Sequence, residues 1–363
     1  MILDKNEIKY IPCLRWKQGE YQAVLTLKNS TKKMLLPIIE VPEIGYDFEN
    51  QKNNKTIDEH LEPFTKRIID KWGKEKCFID IKYIEEYPKL KSGQPPVERI
   101  FNELRAKGVH AIPITRINQD NVHKKNIKEV TNIDKYGLCI RVDIEDIDEP
   151  NFSSNIQELL NEFGLNAENC DFIIDLSLPD NDLLKPFSNV LTSIITDLPF
   201  LDKWRTFGII ANSFPSSLSP HKGLFTIPRN EWQLYKLLYK KLKQQGARIP
   251  NFGDYTINNP EVQNYDMRFI KPCANVRYTS ETFWVIARGD NVRDNGYGIF
   301  VDLCDKIVKS GYFIGDTFSF GDKYIYDCAN NPKLTGNLTT WRKVGTNHHI
   351  EFVIQQLSTF FSS

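Results

Sequence analysis

The stretch CFIDIK at Cys77–Lys82 is a short apolar run that stops on charged residues, and helix-type sequence follows it. The same phrase recurs along the chain. Tyr10–Glu20 (YIPCLRWKQGE), Leu35–Glu40 (LLPIIE), His110–Arg116 (HAIPITR), Leu138–Asp143 (LCIRVD), Cys170–Ser177 (CDFIIDLS), Phe207–Ser213 (FGIIANS) and Ile249–Tyr255 (IPNFGDY) bring the set to eight. Apolar runs of this length alternating with helices are what a parallel sheet covered on both faces requires. Eight in succession predict an α/β fold, a closed (β/α)8 TIM-like barrel with an integral C-terminal elaboration. The barrel core is expected over residues 1–258 and the elaboration over 259–363.

Helix signals fill the intervals. Ile57–Trp72, Val97–Lys107, Ser153–Phe163 and Asn230–Gln245 carry apolar residues at three- and four-residue intervals, and Asp120–Lys135 is more polar and less periodic. Beyond residue 258 the text changes to aromatic strand-like sequence at Val276–Ala287, a helix at Tyr297–Lys309, a turn-rich stretch with Gly315, Gly321, Gly336 and Gly345, and a last helix from His348 to Phe361. No Pro/Ser-rich linker separates this part, so it is expected to pack on the barrel.

Composition excludes several classes of function. In 363 residues, 47 Lys and Arg face 47 Asp and Glu, so no overall field draws in nucleic acid or an anionic membrane. The lysines at 236, 240, 241 and 243 read as a solvated helix face. Seven cysteines without a CxxC pair read as buried thiols of a reducing cytoplasm. The N-terminus has no signal-peptide pattern and no run approaches about 18 apolar residues, so a soluble cytoplasmic protein is expected. HExxH, GxSxG, P-loop and GxGxxG motifs are all missing.

In a (β/α) barrel the C-terminal strand ends share one mouth, so the residues ending the runs form the candidate site. They are Lys17 and Glu20, Glu40, Asp80 and Lys82, Arg116, Arg141 and Asp143, Asp175 and Ser177, Asn212 and Ser213, and Asp254 and Tyr255. Strand alternation turns pairs spaced by two, such as Asp80/Lys82, Arg141/Asp143 and Asp175/Ser177, toward the lumen together. Glu40, Asp80, Asp143 and Asp175 suit a hard divalent metal such as Mg2+, or a division into general acid and base. Lys17, Arg116 and Arg141 suit an anionic ligand. The combination points to metal-assisted phosphoester hydrolysis or transfer. The competing reading is an ion-pair lattice that only closes the barrel. His348 or His349 enters the site as acid or base if it lies on a turn ahead of the last helix.

The opening YIPCLRWKQGE with LPIIE, and the closing GNLTTWR (Gly336–Arg342) with NHHI (Asn347–Ile350), resemble the family called Beta protein, found in phages and bacterial mobile elements. The resemblance implies a setting of phage–host conflict and no defined activity. It singles out Lys17, Glu20, Glu40, Trp341, Arg342 and His348. The leading expectation is an antiviral-defence component whose barrel mouth acts on or senses a phosphate-bearing ligand, a nucleotide or nucleic-acid end. The alternative is a non-catalytic barrel that recognises a phage or partner protein and gates a separate effector. His348 joins Glu40, Asp80, Lys82, Asp143 and Asp175 as candidate catalytic residues. Lys17, Glu20, Arg116, Arg141, Asn212, Asp254, Trp341 and Arg342 are candidate ligand contacts.

Overall fold

The computed structural model describes residues 9–176, 183–261, 266 and 268–362. In chain order the strands are β1 (Ile11–Leu14), β2 (Ile38–Glu40), the two-residue hairpin strands β3 (Tyr46–Asp47) and β4 (Lys52–Asn53), β5 (Cys77–Asp80), β6 (Ala111–Thr115), β7 (Leu138–Val142) and β8 (Cys170–Asp175). Then follow β9 (Thr206–Ala211), β10 (Gly223–Pro228), β11 (Asn251–Asp254), β12 (Cys273–Thr279) and β13 (Phe283–Asn291). The chain divides into two compact units. The first holds the part up to Trp16, Leu35–Asn212 and Glu231–Asp254; the second holds Lys17–Met34, Ser213–Asn230 and everything from Tyr255 onward.

In the first unit, β1-β11-β9-β8-β7-β6-β5-β2 close into an all-parallel barrel, so all eight predicted runs contribute a strand. Closure leaves no strand edge unpaired. The barrel is filled, not hollow. A Cβ on Gly208 of β9 would lie 2.5 Å from Ile11 Cδ1 and 3.0 Å from Ile173 Cδ1. A Cβ there would force those isoleucines to shift, and their position puts residue 208, hence 210, on the lumen side. Below the mouth, Asp171 of β8 is fully buried and holds Lys76 (3.1 Å) and Arg205 (2.5 Å). This lower ion cluster was not foreseen in the sequence.

Helices fall close to their predicted spans, with informative differences. Ile57–Trp72 is two helices, Ile57–Leu61 and Phe64–Lys71, divided at Pro63, which cannot continue a helix begun before it. The weakly periodic Asp120–Lys135 segment forms a helix at Asn121–Asp134, because Asp120 accepts the N–H groups of Val122 and His123 and caps it.

The second unit has an antiparallel sheet ordered β10-β13-β12. One face buries Val276, Tyr278, Val285 and Ala287 with Phe300, Leu303, Ile325, Trp341 and Val344. The other buries Trp284 and Ile286 with Phe214 and Ile257. The single aromatic run predicted at Val276–Ala287 is thus a hairpin. Two boundaries also move. Residues 17–34 and 213–230, predicted as barrel core, cluster with the C-terminal part. The turn-rich stretch contains a helix at Phe320–Asn330, and the last helix starts at Leu338, ten residues before its predicted start. Gly345 was read as a break. It lies inside the helix because a Cβ there would stand 2.7 Å from Ile257 Cδ1 and 3.0 Å from the Arg277 carbonyl.

Candidate functional site at the barrel mouth

Glu40, Asp80 and Asp175 are each the last residue of their strands, β2, β5 and β8, and Arg141 is one short of the end of β7. Their side chains meet in the lumen at the C-terminal mouth. Arg141 is the hub. Its Nη1 donates to Glu40 Oε1 (2.9 Å) and Asp80 Oδ2 (2.7 Å), while Nε and Nη2 donate to Asp175 Oδ2 (3.0 and 2.6 Å). Arg116, directly after β6, grips Asp80 with both Nη atoms, at 3.2 Å to Oδ1 and 2.5 Å to Oδ2. The Lys82 N–H adds a further bond to Asp80 Oδ1 at 3.0 Å.

Burial alone would raise the Asp80 carboxyl. The Arg116 and Arg141 charges, the Arg116 hydrogen bonds and the Lys82 N–H outweigh it and hold Asp80 well below the usual carboxylate range. Glu40 is fully buried, and its Oε2 has no hydrogen-bond partner. A buried acceptor left unmade costs about 1–3 kcal/mol, and more when charged.

Around this core stand residues the sequence reading missed. Glu85 lies 3.7 Å from Arg116 and accepts from Gln119 Nε2 at 2.9 Å. Burial pushes its carboxyl up. Cys13 of β1 is buried, and burial and then the Glu40 charge push its thiol up. Nothing in the local text at Glu85 or Gln119 marked them, since neither ends a strand.

Several expected members are elsewhere. Lys82 begins a 3-10 turn (Lys82–Ile84), so alternation ends at Asp80; its ammonium is exposed, 5.7 Å from the Tyr83 ring centre, and only its N–H serves the site. Lys82→Met is therefore expected to change stability by no more than about 0.5 kcal/mol in a denaturant melt. Asp143 is exposed and caps the helix Ile144–Asp148, accepting from Asp146 N at 2.9 Å, a capping residue in place of the predicted catalytic one. Asp254 takes the Tyr10 hydroxyl at 2.5 Å, and Tyr10 stacks on Phe252, two residues back on β11. Phe252 packs on Trp232 and Tyr235 of the helix Asn230–Gln245, so Asp254 faces the helical layer, away from the lumen. Asn212, directly after β9, is buried. Ser177 lies outside the described residues.

Four expected members belong to the second unit beside the exposed Lys17. Glu20 closes the capping box of the helix Gln18–Leu25, accepting from the Lys17 N–H (3.3 Å) and from Asn258 Nδ2 (2.6 Å). Arg342 donates to Asn258 Oδ1. Trp341 is a packing anchor: it stacks on Phe300 at 4.5 Å, meets Tyr324 edge-on, and donates Nε1–H to the Thr335 carbonyl at 2.9 Å. His348 is fully buried in mid-helix, not on a preceding turn. Its Nδ1 meets Asp322 Oδ2 (2.8 Å) and its Nε2 the Thr279 carbonyl (2.9 Å), so both ring nitrogens face acceptors. His349 points elsewhere, to the Thr279 hydroxyl at 2.9 Å and the Trp284 ring.

Would the mouth hold Mg2+? Among the described residues no group of His, Cys, Asp or Glu is arranged as a metal site. At the mouth the Arg141 guanidinium occupies the point where Glu40, Asp80 and Asp175 converge, and a second cation there would face its charge. The donor set does not fit the ion.

No curated protein matches the chain. The model of the family described as Beta protein matches residues 10–355, nearly the whole length, and the chain belongs to that family.

Proposed function

We propose that this protein is a sensing component of phage–host conflict, and that its barrel mouth reads a small hydrogen-bond-donating ligand instead of hydrolysing a phosphoester. The carrying observation is Glu40 Oε2, a fully buried carboxylate oxygen without a hydrogen-bond partner, beside an Asp80 carboxylate whose two oxygens are both taken. An acceptor held this way favours a ligand that brings an N–H or O–H, such as a nucleoside hydroxyl, an amino sugar or a polyamine. The arginines that phosphate would need are committed to Asp80 and Asp175. Arg116, with a fifth of its side chain exposed, stands at the accessible side of the cluster. The protein-recognition alternative has no comparable feature at the mouth.

The phage–host setting rests on the family resemblance. A reducing cytoplasm suits the cysteines, all free and six of them buried. Among the described residues, no helix is long and apolar enough to cross a membrane.

The test is a thermal-shift panel of nucleosides, amino sugars and polyamines on wild type and Glu40→Gln. The Gln carbonyl keeps the Arg141 bond and removes a buried charge, so the variant is expected to melt within a few degrees of wild type or above it. At 100 times its dissociation constant a true ligand stabilises wild type by about 2.7 kcal/mol, and that gain should be absent in Glu40→Gln. A panel without any shift, or a shift that survives the substitution, sinks this reading.

A further inference from the structure

The sheet β10-β13-β12 of the second unit has two edges, and only one of them is covered. Along β12 the terminal helix closes in: a Cβ on its Gly345 would stand 3.0 Å from the Arg277 carbonyl, and His348 Nε2 meets the Thr279 carbonyl at 2.9 Å. Along β10 the residues Leu224, Thr226 and Pro228 are exposed, Leu224 by 40 %. The strand pairs with β13 in unbroken antiparallel register from Gly223↔Arg288 to Pro228↔Phe283, and its sequence, GLFTIP, carries no charge. Charged residues, bulges or a covering helix ordinarily blunt such an edge. Here a proline stands at its last position only.

Two hydrogen bonds fix which backbone groups of β10 point outward. The Arg229 N–H donates to the Thr282 carbonyl at 2.9 Å, and on the far side of β13 the Ser280 N–H donates to the Phe283 carbonyl at 2.9 Å. In an antiparallel ladder the backbone groups of successive residues alternate in direction. Phe225 and Ile227 therefore bond to β13, and the N–H and C=O groups of Leu224 and Thr226 point away from the sheet. Among the described residues, no hydrogen bond reaches those four groups. Pro228 is the next outward position. It has no N–H, and its carbonyl accepts from the Ser213 hydroxyl at 3.2 Å. At the other end Gly223, with φ +103°, leaves the extended region. The open edge thus offers two donors and two acceptors between a kink and a proline.

We propose that this edge pairs with the same edge of a second copy of the chain, antiparallel about a twofold axis. One register satisfies every open group. With Phe225 on the axis, Leu224 and Thr226 of the second copy exchange N–H···O bonds, as do Thr226 and Leu224 of the second copy, four bonds in all. Phe225 then faces Phe225 of the second copy, an aromatic cross-strand pair. Centring on Thr226 sets Leu224 against Pro228, which has no N–H to give, and centring on Leu224 sets Thr226 against Lys222, beyond the kink at Gly223. A twofold contact of this kind is self-complementary and closed, so it gives a dimer and no filament. A six-residue strand falls short of the about 1,600 Å² of a standard interface, so the dimer is weak and concentration-dependent. The surface lies in the second unit and goes beyond the sensing reading of the barrel mouth.

The experiment is sedimentation equilibrium on the full chain from about 1 µM to 1 mM, with amide hydrogen exchange followed at both ends of that range. Wild type is expected to dimerise, and the Leu224 and Thr226 amides to exchange at least tenfold more slowly at the high concentration. The Phe225 and Ile227 amides, already bonded to β13, should be protected at both. Thr226→Pro removes an outward N–H, and Leu224→Lys puts a charge on the exposed edge; each is expected to weaken dimerisation at least tenfold. If Thr226→Pro fails to fold, Leu224→Lys, altered only at an exposed side chain, carries the test. A wild type that stays monomeric throughout overturns the proposal. So does a dimer that survives both substitutions, or one that forms without slowing the two amides, since its contact then lies elsewhere. Two amides protected at the low concentration, in a monomer, would show a segment of the same chain on the edge and equally overturn it.

Discussion

Arg141→Met is expected to give a chain that does not hold its fold at neutral pH and recovers folded structure as the pH is lowered toward 5. Arg141 is the shared donor of Glu40, Asp80 and Asp175, all of them buried. Without it, Arg116 still holds Asp80, but Glu40 and Asp175 lose the donor they share. Breaking one buried pair costs about 3–5 kcal/mol, and this substitution breaks three at once. Against a stability of about 5–15 kcal/mol for a whole domain, that is enough to unfold it.

The pH dependence has opposite signs in the two proteins. In wild type, Asp80 is held below its ordinary value, so its contribution is present above about pH 4 and lost as acid protonates it. In Arg141→Met the stranded carboxylates bind protons more readily folded than unfolded, so stability rises as the pH falls from 7 toward 5. Melting temperature against pH, followed by circular dichroism, checks both slopes. A variant that is folded at pH 7 with a wild-type melting temperature, or whose slope follows wild type, would falsify the role of Arg141 as hub.

The same cluster shows how far the sequence could be read. Runs ending in charge located the eight strands, and Glu40, Asp80, Arg116, Arg141 and Asp175 do converge at the mouth, because strand ends and alternation are local properties. The reading fails where the backbone leaves the strand. Asp80/Lys82 and Arg141/Asp143 look like equivalent pairs, yet the second member of each sits on a turn or a cap, and alternation has no meaning there. Asp254 fails for another reason: the phase of β11 turns Gly253 inward, and a four-residue strand does not declare its phase. The boundary of the second unit was illegible because it recruits Lys17–Met34 and Ser213–Asn230 through contacts distant in sequence. Gly345 misled most directly. A glycine required for close packing has the same letter as one that ends a helix, and that put the start of the last helix at His348 instead of Leu338.

His348 consequently leads to a result opposite to that of a catalytic base. Asp322→Asn and His348→Ala are each expected to cost about 3–5 kcal/mol at pH 7, as a buried pair broken from one side. Both partners are fully buried, and Asp322 also accepts the Tyr278 hydroxyl (2.7 Å) and the Ser319 hydroxyl (2.5 Å). Tyr278 stacks on His348 with ring centres 3.8 Å apart. The network thus ties β12, the helix Phe320–Asn330 and the terminal helix together through one carboxylate. Burial would raise the Asp322 carboxyl, but the His348 charge and the hydrogen bonds from His348, Ser319 and Tyr278 win and hold it below the usual range. Its contribution is therefore present above about pH 4 and fades as acid protonates it. The stability difference between wild type and Asp322→Asn should be largest near pH 7 and shrink on acidification, measured by urea melts across that range. A loss below about 1 kcal/mol at pH 7, with loss of ligand response in the same protein, would mean that His348 and Asp322 act on a ligand and that the packing role assigned to them is wrong.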